Sequence, residues 1–376
     1  MKFIVSRDVL FKNLNAISGV LASNNTLAIL DNFLFVVEGE KLTLTASDLE
    51  TTMNAVVELT DVEGEGTVVV PSKILLETLK LLPETPVVFV FDLENNILKF
   101  TAANGEYDSP CYSGNEYPRI LPIEDPKSFE IDAHTLQRAV SKTLFATGND
   151  EIRSNMMGVL CELSDEYITF VATDAHKLVR FRSQKVKTDD FTSFILPKKP
   201  LIQLKTILSS TTNMVQVNYS SETHHIRFAF ENIEIFSRLK EGKFPNYESV
   251  IPAENPNKLV IQRDDFLKSI RRVGIYSSQS TYQVRISLNE ENVNIKGEDI
   301  DYSNKAEEVI SGNYIGEPMD IGFNSKFLRE MLENMDSQEI VVEMSLPNRA
   351  SLILPIEQFN AEEDLLMLIM PVMLNN

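Results

Sequence analysis

Leu44-Thr45-Ala46-Ser47-Asp48, Phe170-Val171-Ala172-Thr173-Asp174 and Ile295-Lys296-Gly297-Glu298-Asp299 are three versions of one phrase, a strand that ends on an acidic residue. They recur about 126 residues apart, and a fixed period is the mark of a repeated structural unit. Three more landmarks keep the same order and spacing. Upstream, an alternating strand runs into a helix start at Lys2–Leu10, Ser128–Leu136 and Lys258–Phe266. Downstream, a strand meets a basic helix start at Val70-Pro71-Ser72-Lys73, Leu196-Pro197-Lys198-Lys199 and Phe323-Asn324-Ser325-Lys326. Last comes a bulky residue before proline, at Tyr117-Pro118, Phe244-Pro245 and Met370-Pro371. The linkers Ile120–Pro126 and Val250–Pro256 share a Pro-x-x-x-Pro pattern with acidic residues inside, which suits a short stiff connection. The chain therefore divides into 1–126, 127–256 and 257–376.

Each unit reads as a strand, a helix, several strands, a second helix and several more strands. Apolar residues three and four apart, such as Leu10, Leu14 and Ile17, predict first helices at 7–19, 134–146 and 263–273. Second helices start near Ser72, Pro197 and Ser325, residue types that suit a first helical turn. Alternating runs such as Ile226-Arg227-Phe228-Ala229-Phe230 predict half-buried antiparallel strands. Two helices on antiparallel sheet, three times over, is an α+β architecture.

Charge is unevenly spread. The 376 residues carry a formal net charge of −20, yet six helix windows sum to +8 and the remainder to −28. The windows are 6–20, 72–82, 132–146, 197–208, 262–274 and 324–334. That split predicts helices that face a polyanion through lysine and arginine, with an acidic exterior elsewhere. No helix carries the arginine and asparagine cluster that base readout requires, so the contact should ignore sequence. Cys111 and Cys161 show no ligand spacing and read as small core residues in a reducing compartment. The N-terminal apolar run is too short for a signal peptide, and Leu365–Leu374 is too short to span a bilayer. A cytoplasmic protein without membrane contact is expected.

Catalysis is the rival reading. Asp174 and His176 could form a general base with an orienting carboxylate, as in a hydrolase. No nucleophile motif, phosphate loop or metal-ligand cluster accompanies them. His224 and His225 sit in an alternating stretch that points their rings to opposite faces, a poor geometry for one metal. A non-replicative repeat scaffold is the second rival. A scaffold that binds and does not transform, with no catalytic residue, cofactor or metal, is the expectation.

The residues also carry a family resemblance along nearly the whole chain. Met1-Lys2-Phe3, Thr26–Leu30, Asp48-Leu49-Glu50, Ala172-Thr173-Asp174-Ala175-His176-Lys177-Leu178, Gly242–Tyr247 and Ile369–Leu374 resemble the bacterial DNA polymerase III beta subunit, the sliding clamp. The resemblance implies three clamp domains per chain and a head-to-tail homodimer that closes six domains around double-stranded DNA. It implies a processivity factor for DNA replication, classed with DNA-directed DNA polymerase while itself non-catalytic. It further implies a pocket, between the second and third domains, for short peptide motifs of the replicative polymerase alpha subunit and the clamp loader. Carried over by position, that pocket comprises Met156, Thr173, Ala175, His176, Lys177, Leu178, Pro245, Val250, Leu368, Met370, Pro371, Val372 and Met373. DNA-facing positions would be Lys73, Asn149, Arg153, Lys198 and Lys199. Tyr107 and Ser109, with Ile275 and Tyr276, match the subunit contact, near acidic Glu298, Asp299, Asp301, Glu307 and Glu308. Some positions depart from the family pattern. Ala175 stands where glycine is usual, Asn24, Ser249 and Met373 where arginines are common, and Ser154 and Asn155 where some members have tyrosines. Asn375 and Asn376 extend past the usual end.

Overall fold

Apolar residues three and four apart do wind into helices. In chain order these are α1 (Arg7–Ser18), α2 (Ser72–Leu81), α3 (Ala133–Thr143), α4 (Lys198–Ile207), α5 (Arg263–Val273) and α6 (Ser325–Glu333). The structure is a computed structural model and describes residues 1–21, 27–118, 123–211, 213–290 and 292–374. Asn24, Thr26, the Ile120–Pro122 part of the first linker, Asn375 and Asn376 lie outside the described residues. No helix is long and apolar enough to cross a membrane.

The helices confirm the repeat and adjust two expectations. The periodicity placed the third helix over 134–146, but its last turn tightens into a 3-10 segment at Leu144–Ala146. Pro197 was expected inside the first turn of α4. Instead it closes the strand Thr192–Pro197, opposite Gly158, and the helix begins at Lys198. Pro71 and Asn324 hold the same place before α2 and α6. Proline fits there because its fixed φ already suits the turn from strand to helix and its missing N–H is not needed. Asn324 adds a cap, its side-chain oxygen accepting from Lys326 N at 3.0 Å and Phe327 N at 3.3 Å.

The chain separates into two compact units, Met1–His134 with Lys199–Leu239, and Thr135–Lys198 with Lys240–Asn376. The division falls inside the central repeat, for a reason visible in the sheets. In the first unit a nine-stranded sheet runs Tyr112–Ser113, Gly66–Pro71, Asn32–Glu38, Lys41–Ser47, Thr51–Glu58, Ile233–Arg238, His225–Phe230, Met214–Ser220, Lys127–Asp132. Its ladder crosses from first repeat to second where Thr51–Glu58 pairs antiparallel with Ile233–Arg238. In the second unit a nine-stranded sheet crosses from second repeat to third where Lys177–Ser183 pairs antiparallel with Glu363–Ile369. Hydrogen bonds thus bind neighbouring repeats edge to edge.

Each unit also holds a smaller sheet. The first has five strands and ends at the edge strand Gly105–Pro110. The second has four and ends at the edge strand Asn304–Ile310. In the five-stranded sheet, Phe3, Phe89, Phe100 and Tyr107 stand opposite one another on successive strands. Their rings stack at 5.2, 5.5 and 5.0 Å between centroids. Stacked cross-strand aromatics add about 0.5–1.5 kcal/mol per pair beyond burial, and this row fixes Tyr107 on the edge strand. Phe100→Ala breaks the row at a site only 4% exposed. It should destabilise the first unit by about 3–5 kcal/mol, read as an earlier urea transition in far-UV circular dichroism.

Candidate functional site

Asp174 ends the strand Ile168–Thr173 and turns the chain into Lys177–Ser183. Its Oδ1 accepts from His176 N and Lys177 N, both at 2.9 Å. Thr173 Oγ1 accepts from Ala175 N at 3.1 Å and donates to Lys177 O at 2.8 Å. Ala175 therefore sits at φ +76°, a left-handed conformation that glycine adopts without strain. The first repeat is built alike, for Asp48 Oδ1 accepts from Glu50 N and Thr51 N, and Leu49 takes φ +77°. The recurring aspartate is thus a turn-former. Asp174 Oδ1 is bonded to backbone and its Oδ2 lies 3.5 Å from Lys177 Nζ. The His224 reading needs correction, since His224 is a turn residue at φ +55° and only His225 enters the strand. Among the described residues no three His, Cys, Asp or Glu side chains are grouped to hold a metal.

The proposed pocket residues all lie in the second unit, in layers. Leu178 and Leu368 face each other across the ladder and are 2% exposed, in a cluster with Leu160, Val171, Phe244 and Leu366. Thr173 and Lys177 are buried as well. Above them Met156, Pro245, Pro371 and Val372 are half-buried, and Ala175, His176, Val250, Met370 and Met373 are exposed. The tail is pinned by Met370 N donating to His176 O and Val372 N donating to Gly322 O, each at 2.8 Å. Gly322 is required there, since a Cβ would stand 2.6 Å from Val372 O. The result is an apolar floor with methionine at its rim, which suits adaptable contacts.

Charged groups brace this region. Lys177 Nζ meets Glu330 of α6 at 2.5 Å and lies 4.7 Å from the Phe327 ring centroid, while His176 stacks on Phe327 at 5.9 Å. Tyr247 donates to Glu162 at 2.7 Å; burial, then that carboxylate, pushes its phenol pKa up. Arg138 of α3 bonds Glu363 at 2.8 and 2.9 Å and Asp336 at 2.8 Å, and Lys142 reaches Asp336 at 2.5 Å. Burial works against ionising Asp336, but Lys142 and Arg138 outweigh it and hold its carboxyl below the ordinary range. Sequence reasoning counted Arg138 and Lys142 as phosphate-facing charge. They are internal, and nothing local in α3 signals partners about two hundred residues away.

The other helix cations sort by type. Every arginine on α1, α3, α5 and α6 has a carboxylate partner: Arg7 with Asp8, Arg263 with Asp264, Arg271 and Arg329 with Glu333, Arg272 with Glu308, besides Arg138. Lys12, Lys73, Lys80, Lys205 and Lys268 are exposed and make no ion pair among the described residues. Of the five positions carried over as DNA-facing, only Lys73 is of this kind. Lys198 donates to Gly148 O and Asn149 Oδ1, both at 2.5 Å, and burial, then Lys177 and Lys240, push its pKa down. Lys199 is bound to Asp48 and to Val20 O, and Arg153 to Asp150 at 2.9 Å. Ser154 is exposed, and Asn155 donates to Lys243 O at 2.7 Å.

Of the positions carried over as a subunit contact, Tyr107 and Ser109 lie on the edge strand Gly105–Pro110. Tyr107 and Ser109 line a groove of about 280 Å³ with Val70, Ile74, Leu98 and Phe100, in the first unit. In the second, Ile275 and Tyr276 lie on the 3-10 turn after α5 and are 71% and 43% exposed.

Comparison with known proteins gives three consecutive matches. Residues 1–122, 130–246 and 248–372 match the profiles of the N-terminal, central and C-terminal domains of the DNA polymerase III beta subunit. The beta sliding clamp of Pseudomonas putida is 28% identical over 354 residues, covering 94% of this chain and 95% of that protein. That of Proteus mirabilis is 30% identical, covering 90% and 92%. A crystal structure of a sliding clamp from Pseudomonas aeruginosa bound to griselimycin superposes with a TM-score of 0.92 at 27% identity, over all of both chains. The beta subunit from Thermotoga maritima gives 0.91 at 26%, again over all of both chains.

Two outcomes are expected here. Asp174→Ala removes the acceptor of two backbone N–H groups and should destabilise the second unit by about 1–3 kcal/mol, read as an earlier urea transition, whereas Asp174→Asn keeps an acceptor and should cost less than about 1 kcal/mol. Because the folded pKa of Asp336 is depressed, its contribution is present above the ordinary carboxylate pKa and is lost as pH falls through the folded value. Asp336→Asn should flatten that acid limb in urea unfolding at stepped pH.

Proposed function

The chain belongs to the DNA polymerase III beta subunit family, and from that premise we propose how this clamp meets its partners. Its role is that of a DNA sliding clamp, which holds DNA without reading sequence and tethers a polymerase. The observation that carries the reading for this chain is the sorting of helix cations. Free lysines on α1, α2, α4 and α5 offer flexible point charges, while arginines, which grip phosphate in fixed bidentate geometry, are held by carboxylates of the same chain. Contacts of the first kind favour sliding.

The finer assignments are part of the proposal. The domains run 1–126, 127–256 and 257–376. Two chains close a head-to-tail ring, a heterologous contact that closes on itself. The groove at Tyr107 and Ser109 would receive Ile275 and Tyr276 of a second copy, and its unfilled volume supports that pairing. The layered site around Leu178 and Leu368 would take short apolar peptide motifs of the polymerase and the clamp loader. Lys73 would face phosphate, together with Lys12, Lys80, Lys205 and Lys268. The engaged carboxylate of Asp174 supports a non-catalytic role, and a cytoplasmic location belongs to the same reading.

Loaded onto nicked circular DNA by its cognate loader, the protein should survive gel filtration with the circle and leave it after linearisation. Equal loss from both forms would count against a ring. Replacing Lys12, Lys73, Lys80, Lys205 and Lys268 with alanine should flatten the slope of log affinity against log salt by about 0.9 for each phosphate left without its lysine. An unchanged slope in fluorescence anisotropy would remove these lysines from the DNA face. Ser109→Leu should occupy the groove meant for Ile275 and Tyr276 and weaken the dimer in sedimentation equilibrium.

A further inference from the structure

The strand that carries the apolar floor divides two consecutive residues between its faces. Leu178 points to the outer face, opposite Leu368. Lys177, one residue earlier, points to the other side, as alternation along a strand requires. Its ammonium is enclosed there. Glu330 of α6 lies at 2.5 Å and Asp174 Oδ2 at 3.5 Å. The ring centroids of Phe327 and Phe145 lie at 4.7 and 5.9 Å. The side chain is 5% exposed. The family resemblance places Lys177 among the peptide contacts, but a lysine held in this way leaves no ammonium for a peptide lying on Leu178.

Phe327 and Glu330 stand three residues apart on α6 and so share one face of that helix. Together they grip two neighbouring residues of the aspartate turn. Glu330 takes the Lys177 ammonium, and the Phe327 ring lies against that ammonium and stacks on His176 with 20° between planes. His176 in turn carries the tail. Its carbonyl accepts from Met370 N at 2.8 Å, and Met370 is exposed at the rim of the floor. An ion pair, a ring and one backbone bond thus connect α6 to the rim. The first junction has a comparable pin, where Asp48 of the turn is bound by Lys199 of α4. There Thr52 and Phe236 stand where Leu178 and Leu368 stand, so that pin ends on no apolar floor.

Resting on the reading of this floor as a peptide site, we infer that Lys177 is a positioning residue: with Glu330 it sets the place of His176 and Met370, and it does so without touching the peptide. The affinity of the site is therefore tied to α6. Removing Glu330's charge leaves Lys177 with Asp174 alone, at 3.5 Å. A buried cation that loses its main partner moves toward water. It then leaves the Phe327 ring, and the His176 stack and the Met370 rim loosen with it. Because the pair is closed inside the protein, the ammonium gives nothing to a carboxylate on the peptide.

The probe is a fluorescein-labelled peptide with the clamp-binding motif of the cognate polymerase alpha subunit and at least one acidic residue, read by anisotropy on the full chain. Lys177→Met and Glu330→Gln should each weaken its binding by about two- to thirtyfold. The double variant should lose no more than the worse single one, because both break one link. The Lys177→Met loss should be the same for a second peptide whose Asp and Glu are replaced by Asn and Gln. The chain has four histidines. In 13C-histidine-labelled protein the ring signal of His176 should move in both variants while the other three hold still. Glu330→Gln keeps Lys177 beside Asp174 and carries the test where Lys177→Met does not fold. Unchanged affinity or a still His176 signal in Glu330→Gln, or a Lys177→Met loss confined to the acidic peptide, overturns the inference while the docking site stands. A wild-type chain that binds neither peptide overturns the docking reading and this inference with it.

Discussion

The structure depends on a single constraint, that a strand's backbone N–H and C=O groups need partners. In each repeat the strand after the aspartate turn has one edge its own repeat does not cover. Ile233–Arg238 covers it for the first repeat and Glu363–Ile369 for the second. Sheets of nine strands follow, and the compact units ignore the repeat boundaries. Among the described residues, Asn304–Ile310 of the third repeat and Gly105–Pro110 of the first stand at sheet edges. Open edges invite association.

Much of this was legible in the sequence because the signals are local. Helix period, the strand-ending aspartate and the residue before each second helix all act within a few residues, so the six helices fell within two or three residues of their places. The aspartate's meaning was harder to read. Asp174 looked like half of a catalytic pair, and only the bonds to His176 N and Lys177 N mark it as a turn. Asp48, at the same place in the first repeat, could have warned against chemistry, since no histidine follows it.

Charge was legible in sum and illegible in detail. Arg138 and Lys142 look like any basic pair on a helix face, yet Glu363 and Asp336 bury them. Lys199 and Arg153, likewise counted as outward, are held by Asp48 and Asp150. Ion pairs between distant segments leave no trace in spacing. The lysines that remain free were in the sum without standing out, because what distinguishes them is the lack of a neighbour.

The pairing between repeats also decides where a docking floor can exist. One outer-face position recurs at both junctions. It holds Leu178 opposite Leu368 at the second, but Thr52 opposite Phe236 at the first, where Arg227 lies 5.7 Å from the Phe236 ring. Of the two junctions within the chain, only the second is apolar at this position. If two chains close the proposed ring, it would offer two such floors, and a third client would have to wait for a vacancy or displace an occupant.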